Sequence, residues 1–115
     1  MKRKVLIIDD EPDQCRMISA YLQRRAYEVE YAHTLEEGID KLNRMRPESL
    51  LLDNNLPDGL GWTYASFIRG LFPDLHITLM TGGDPASLTN PALRDYRQLV
   101  KPMHLEEVEA CVRAA

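Results

Sequence analysis

Val5-Leu6-Ile7-Ile8-Asp9-Asp10-Glu11 sets four consecutive apolar residues directly against three acids. A run that is apolar at successive positions has no wet face. As a strand it needs cover on both sides, which is the state of a parallel strand inside an α/β sheet; a half-exposed antiparallel strand would alternate. Ser49-Leu50-Leu51-Leu52, ending at Asp53, and Ile77-Thr78-Leu79-Met80, ending at Thr81, repeat the pattern. Shorter runs at Glu28 to Ala32 and at Gln98 to Val100, the second ending at Lys101, bring the predicted strands to five.

Helical periods fill the intervals. Pro12 suits the first turn of a helix carrying Cys15, Ile18 and Leu22 on one stripe. Thr34-Leu35-Glu36-Glu37 has the form of a capping box, Leu35, Ile39, Leu42 and Met45 follow at helical steps, and Pro47 stops the helix. Tyr64, Phe67, Ile68 and Leu71 mark a third helix closed by Pro73, and Leu105, Val108 and Val112 a last short one. From Asp84 to Asp95, Pro85 and Pro91 interrupt any helix, so a short or irregular element is expected. Strands alternating with helices predict right-handed βα units and a three-layer α/β sandwich, a parallel sheet with helices on both faces, in one domain over residues 1–115.

The composition agrees with that class. A 115-residue chain can bury roughly two-thirds of its unfolded surface, enough for one core without disulfide or metal staples. Lysines and arginines number 14 against 18 acids, a net charge of -4, which leaves no global positive field for direct binding of nucleic acid. Cys15 and Cys111 form no Cys-x-x-Cys pattern and read as reduced core thiols. The four apolar residues after the basic start are too few for a signal peptide or membrane span, so a soluble, cytoplasmic protein is expected.

The chemistry collects where the apolar runs end: Asp9 and Asp10, Asp53, Thr81 and Lys101 all follow the carboxyl ends of predicted strands. In an open parallel sheet those ends share one edge, where a crevice opens at the reversal of winding. Two unit charges 4 Å apart interact by about 4 kcal/mol at an effective dielectric of 20, so three gathered carboxylates call for compensation. Mg²⁺, which takes oxygen ligands and commonly binds phosphoryl oxygens, is one remedy; a proton held by one Asp of raised pKa is the other. Bland readings stand beside these. Asp10 could cap the first helix, Thr81 could be an ordinary strand end, and Lys101 a solvated lysine. Asp53, directly after three leucines, is harder to explain as a solvated charge. Gly82-Gly83 reads equally as a turn, the three histidines as surface or helix-end residues, and Trp62 as packing at a helix start. Neither a Walker loop nor Gly-x-Gly-x-x-Gly occurs.

Together, Val5 to Glu11, Asp53-Asn54-Asn55-Leu56-Pro57-Asp58-Gly59, Met80-Thr81-Gly82 and Leu99-Val100-Lys101-Pro102 resemble the motifs of two-component response-regulator receiver domains, in the family's order and over nearly the whole chain. The resemblance implies the flavodoxin-like strand order 2-1-3-4-5 and a phosphoryl group taken from a histidine kinase or histidine phosphotransfer protein. It implies that Asp53 becomes the phosphoaspartate, that Asp10 and Asp53 ligate Mg²⁺ with the main-chain carbonyl of Asn55, and that Asp9 acts through a metal-bound water. Lys101 would pair with Asp53 or the phosphoryl oxygens, Thr81 would give its hydroxyl to the phosphoryl group, and the Lys101-Pro102 bond would be cis. Enzymatic activity would be limited to self-phosphotransfer and phosphoaspartate hydrolysis; the effector and a phosphorylation-dependent dimer are left open. The family usually has an aromatic residue three positions before the lysine, where this chain has Gln98; Tyr96 has the same strand parity if the last strand extends that far. A receiver-like binding module that works without phosphate and a Mg²⁺-dependent phosphohydrolase are the alternative functions.

Overall fold

All five apolar runs become strands. The computed structural model describes residues 2–82, 91–93 and 95–115. In chain order it contains β1 (Lys4–Ile8), α1 (Pro12–Arg24), β2 (Glu28–Ala32), α2 (Leu35–Met45), β3 (Ser49–Asp53), β4 (Asn55–Leu56), β5 (Gly59–Leu60), α3 (Gly61–Leu71), β6 (His76–Thr81), a 3₁₀ turn (Pro91–Leu93), β7 (Arg97–Val100) and a last helix, α4 (Leu105–Arg113). The main sheet runs β2-β1-β3-β6-β7, every pairing parallel, so the expected order is met with the small antiparallel β4–β5 ribbon counted apart.

Successive side chains on a strand point to opposite faces, and here both faces are dry. Leu6, Ile8, Leu50, Leu52, Ile77 and Leu79 pack with residues of α2 and α3, while Val5, Ile7, Leu51, Met80 and Leu99 pack with residues of α1 and α4. Full burial of a Leu or Ile contributes about 1.5–3 kcal/mol, so the central strands β1 and β3 hold the sheet in place. Cys15, Ile18 and Leu22 of α1 are buried as their spacing required, as are Leu35, Leu42 and Met45 of α2, with Ile39 half-buried. Thr34 caps α2, its hydroxyl accepting the Glu37 N–H at 3.1 Å, and Arg46 ends it in the left-handed region at φ 49° before Pro47.

The third helix corrects its predicted stripe. Trp62, Ala65 and Ile68 face the core with Phe72 beyond the end, whereas Tyr64, Phe67 and Leu71 are exposed at 39%, 54% and 49%. Gly61 decides the rotation of the helix. A Cβ there would lie 2.0 Å from the carbonyl oxygen of Asp53, so the first turn can only sit glycine-side down on β3. Tyr96 is likewise outside β7, which begins at Arg97; its ring packs against the core and stacks under Arg69 at 5.1 Å. Most of the irregular element expected between Asp84 and Asp95 lies outside the described residues, as does Gly83; the described part is the 3₁₀ turn. Among the described residues no helix is long and apolar enough to cross a membrane.

Candidate functional site

Sheet register carries the polar residues to one edge. Ile8 is level with Leu52, so Asp9 and Asp53 leave adjacent strands side by side; Asp53 is level with Met80, one residue before Thr81, and Thr81 is level with Val100, one residue before Lys101. Adjacent strands lie about 4.8 Å apart, which fixes the scale of the cluster before any side chain is placed. One carboxylate oxygen from each of Asp9, Asp10 and Asp53 lies within 4.8 Å of the others.

Burial divides the three acids. Asp9 is fully buried and Asp53 is 4% exposed, while Asp10 faces solvent. Lys101 reaches across from the end of β7, its Nζ donating to Asp9 Oδ2 at 3.0 Å and lying 3.2 Å from Asp53 Oδ1 and 3.5 Å from Glu11 Oε1. The other Asp9 oxygen accepts the Glu11 N–H at 3.0 Å. Glu11 occupies the position before α1 with no side-chain cap, so Asp10 is not the helix cap that its residue type allowed. The Lys101-Pro102 peptide is cis, and the Lys101 N–H donates to the Thr81 carbonyl at 2.7 Å. Thr81 is buried between Met80 and the exposed Gly82.

The electrostatics follow from one ammonium among several carboxylates. Burial pushes the Asp53 pKa up and Asp9 and Asp10 add to that, outweighing the opposing pull of Lys101. Burial alone would lower the Lys101 pKa, but the hydrogen bond to Asp9 and the charges of Asp53 and Asp9 leave it raised. Cys15, whose Sγ–H points to the Asp9 carbonyl at 3.4 Å, has its pKa pushed up to about 12, first by burial and then by Asp9. A cluster of hard oxygen donors with an uncompensated negative excess is a fit for Mg²⁺, which favours carboxylate, carbonyl and water ligands.

Asn55 aside, the residues that complete this edge had no role assigned from the sequence. His33, expected as a surface histidine, sits half-buried with Nδ1 2.8 Å from the Asp9 carbonyl oxygen, supporting the turn after β1. Asn54 fastens the segment after Asp53 to α3: its carbonyl accepts the Gly61 N–H at 2.8 Å and its Oδ1 the Trp62 N–H at 3.1 Å. Asn55 is exposed at the start of the β4–β5 ribbon, beside the acids in sequence. Asp58 accepts N–H bonds from Leu35 and Glu36 at the start of α2, 2.8 and 3.0 Å long. Spacing along the chain could not reveal that contact, because its partners are 23 and 22 residues away.

Comparison with known proteins bears on the fold and the family. Residues 5–113 match the family model described as the response regulator receiver domain. Response regulator MprA of Mycobacterium tuberculosis is 33% identical over 118 residues, covering 99% of this chain and 50% of that protein. The acid tolerance regulatory protein ActR of Rhizobium meliloti is 30% identical over 96% of this chain and 58% of its own length. The chain thus spans about half the length of these curated relatives. Among solved structures, a two-component response regulator from Clostridium difficile superimposes with a TM-score of 0.88 at 30% identity, over 98% of this chain and 94% of that one.

Proposed function

The chain belongs to the response regulator receiver domain family, and from that premise we propose that residues 1–115 form a phosphorylatable receiver that accepts a phosphoryl group on Asp53 from a phosphohistidine donor. The observation that carries this reading is the pairing of a buried Asp53 with Lys101 at 3.2 Å inside a cluster of acids. A carboxylate kept out of water is a better nucleophile than a solvated one, and Lys101, itself held by Asp9, fixes its direction.

Asp10, Asp53 and the Asn55 carbonyl would hold Mg²⁺ directly, with Asp9, already committed to Lys101 and the Glu11 amide, acting through a water. The ion supplies positive charge for the phosphoryl oxygens. A carboxylate oxygen of Asp53 attacks phosphorus in line, the bond from phosphorus to the donor nitrogen breaks, and its electron pair leaves with the imidazole. Lys101 then shifts to the phosphoryl oxygens, and the Thr81 hydroxyl donates to one of them. Rearrangement of the Thr81 end of β6 changes the surface presented to an effector, by no more than the differential energy of these contacts. The donor is a histidine kinase or histidine phosphotransfer protein in the cytoplasm.

The test is incubation with Mg²⁺ and a small acyl phosphate, followed by peptide mass spectrometry. A phosphoryl adduct on Asp53 is expected. No adduct would favour a module that binds without phosphate, and steady turnover of unrelated phosphoesters would favour a hydrolase.

A further inference from the structure

The β4–β5 ribbon has two residues per strand, far too few to hold its shape alone. Its base is fixed to α3 by Asn54, and its tip, Pro57-Asp58, reaches the first turn of α2. The first N–H groups of a helix lack partners within it and carry the positive end of its dipole. In α2 the three that follow the cap are taken, Leu35 and Glu36 by the two oxygens of Asp58 and Glu37 by the Thr34 hydroxyl, before the regular ladder starts with Gly38 N–H on the Thr34 carbonyl. The seat is close, since a Cβ on Gly59, whose φ is 153°, would lie 3.2 Å from Leu35 Cδ1. Asp58 is therefore more than a cap, because its bonds cross from one element to another and end on the ribbon that begins with Asn55.

We infer that Asp58 is a positioning residue for the phosphoacceptor site: by tying the ribbon to the amino end of α2 it fixes the Asn55 main-chain carbonyl beside Asp53 and Asp10. This rests on the metal-assisted reading above. A carbonyl on an untethered two-residue strand samples several positions, and each excursion removes one ligand. Groups that orient ligands without touching the ion typically govern metal affinity about 10- to 100-fold. The tie also makes α2 a mechanical neighbour of the site, through bonds that any displacement of the ribbon must stretch.

The experiment titrates Mg²⁺ alone into the protein by calorimetry, with the emission of Trp62, the single tryptophan, as a second readout. Wild type is compared with Asp58→Ala, Asp58→Asn and Thr34→Ala, all well below their melting temperatures. Asp58→Ala should weaken Mg²⁺ binding about tenfold. Asp58→Asn, which keeps one acceptor oxygen, should fall between it and wild type. Thr34→Ala removes a cap from the same helix without touching the ribbon, so it should lower Tm and leave the Mg²⁺ Kd alone. Wild-type Kd in a folded Asp58→Ala, or an equal loss in Thr34→Ala, would overturn the inference while leaving the phosphoacceptor reading intact. If Asp58→Ala does not fold, Asp58→Asn against Thr34→Ala makes the same comparison. Failure of wild type itself to bind Mg²⁺ would remove both readings.

Discussion

Replacing Asp53 with Asn should stabilise the metal-free protein. At 4.8 Å and an effective dielectric of 20, Asp9 repels the Asp53 charge by about 3.5 kcal/mol and Asp10, which faces solvent, by less, while the ion pair with Lys101 at 3.2 Å returns about 5 kcal/mol, so the charges come close to cancelling and burial decides the sign. The amide removes both terms, keeps an oxygen that can accept from Lys101, and leaves that lysine to Asp9. The net gain is the relief of a buried charge, about 2 kcal/mol. For a domain of this size that raises Tm by roughly 5–10 °C. The sign of the pH dependence is fixed by the raised pKa of Asp53. Below its ordinary value of 3.8 the carboxyl is neutral folded or unfolded and costs nothing; as pH climbs toward the raised folded value the penalty grows, and above it the penalty is complete. The gap between Asp53→Asn and wild type should therefore open above 3.8, widen with pH and level off beyond the raised folded value. Thermal melts followed by circular dichroism, in chelator and over a pH series, measure it. In Mg²⁺ at 100 times its Kd, wild type should recover about 2.7 kcal/mol and the variant less. A variant melting at or below wild type in chelator at neutral pH would refute the premise that the folded protein holds the Asp53 charge at a cost.

Three further outcomes follow from the same contacts. Lys101→Met strands two buried carboxylates and should cost about 3–5 kcal/mol in urea unfolding, partly recovered by Mg²⁺; a loss below about 1 kcal/mol would show that Lys101 is not their counter-charge. Gly61→Ala forces a methyl group 2.0 Å from the Asp53 carbonyl and should destabilise by about 1–3 kcal/mol or more, with an unchanged urea midpoint as the contrary result. Cys15, buried and with its thiol pushed up to about 12, should resist iodoacetamide at neutral pH until the chain unfolds; rapid alkylation of the native protein at Cys15 would contradict its placement beside Asp9.

The strands were legible because burial on both faces leaves no room for alternation: Val5 to Ile8 and Leu50 to Leu52 can be placed nowhere drier than the middle of this sheet. The candidate acids were legible for a related reason, as charges set against such runs must find partners. The third helix was not. Tyr64, Phe67 and Leu71 repeat at helical steps as well as Trp62, Ala65 and Ile68 do, and what separates them is the approach of Gly61 to β3, which is tertiary. Asn54, Asp58 and His33 were missed because each acts through main-chain groups on another element, and no local pattern records such a partner. Tyr96 failed as a strand residue because its N–H turns back to the Leu93 carbonyl at 3.1 Å, leaving Gln98, whose Nε2–H donates to the same carbonyl at 3.2 Å, as the strand residue tied to the 3₁₀ turn.

Anomalous diffraction from crystals soaked in Mn²⁺, an oxygen-seeking substitute for Mg²⁺, locates the ion without reference to activity. The expected result is one strong peak within bonding distance of Asp10, Asp53 and the Asn55 carbonyl, absent from crystals of Asp53→Asn soaked at the same concentration. A peak bound away from Asp53, or one of equal strength in the variant, would contradict a phosphoacceptor built from both halves of the chain.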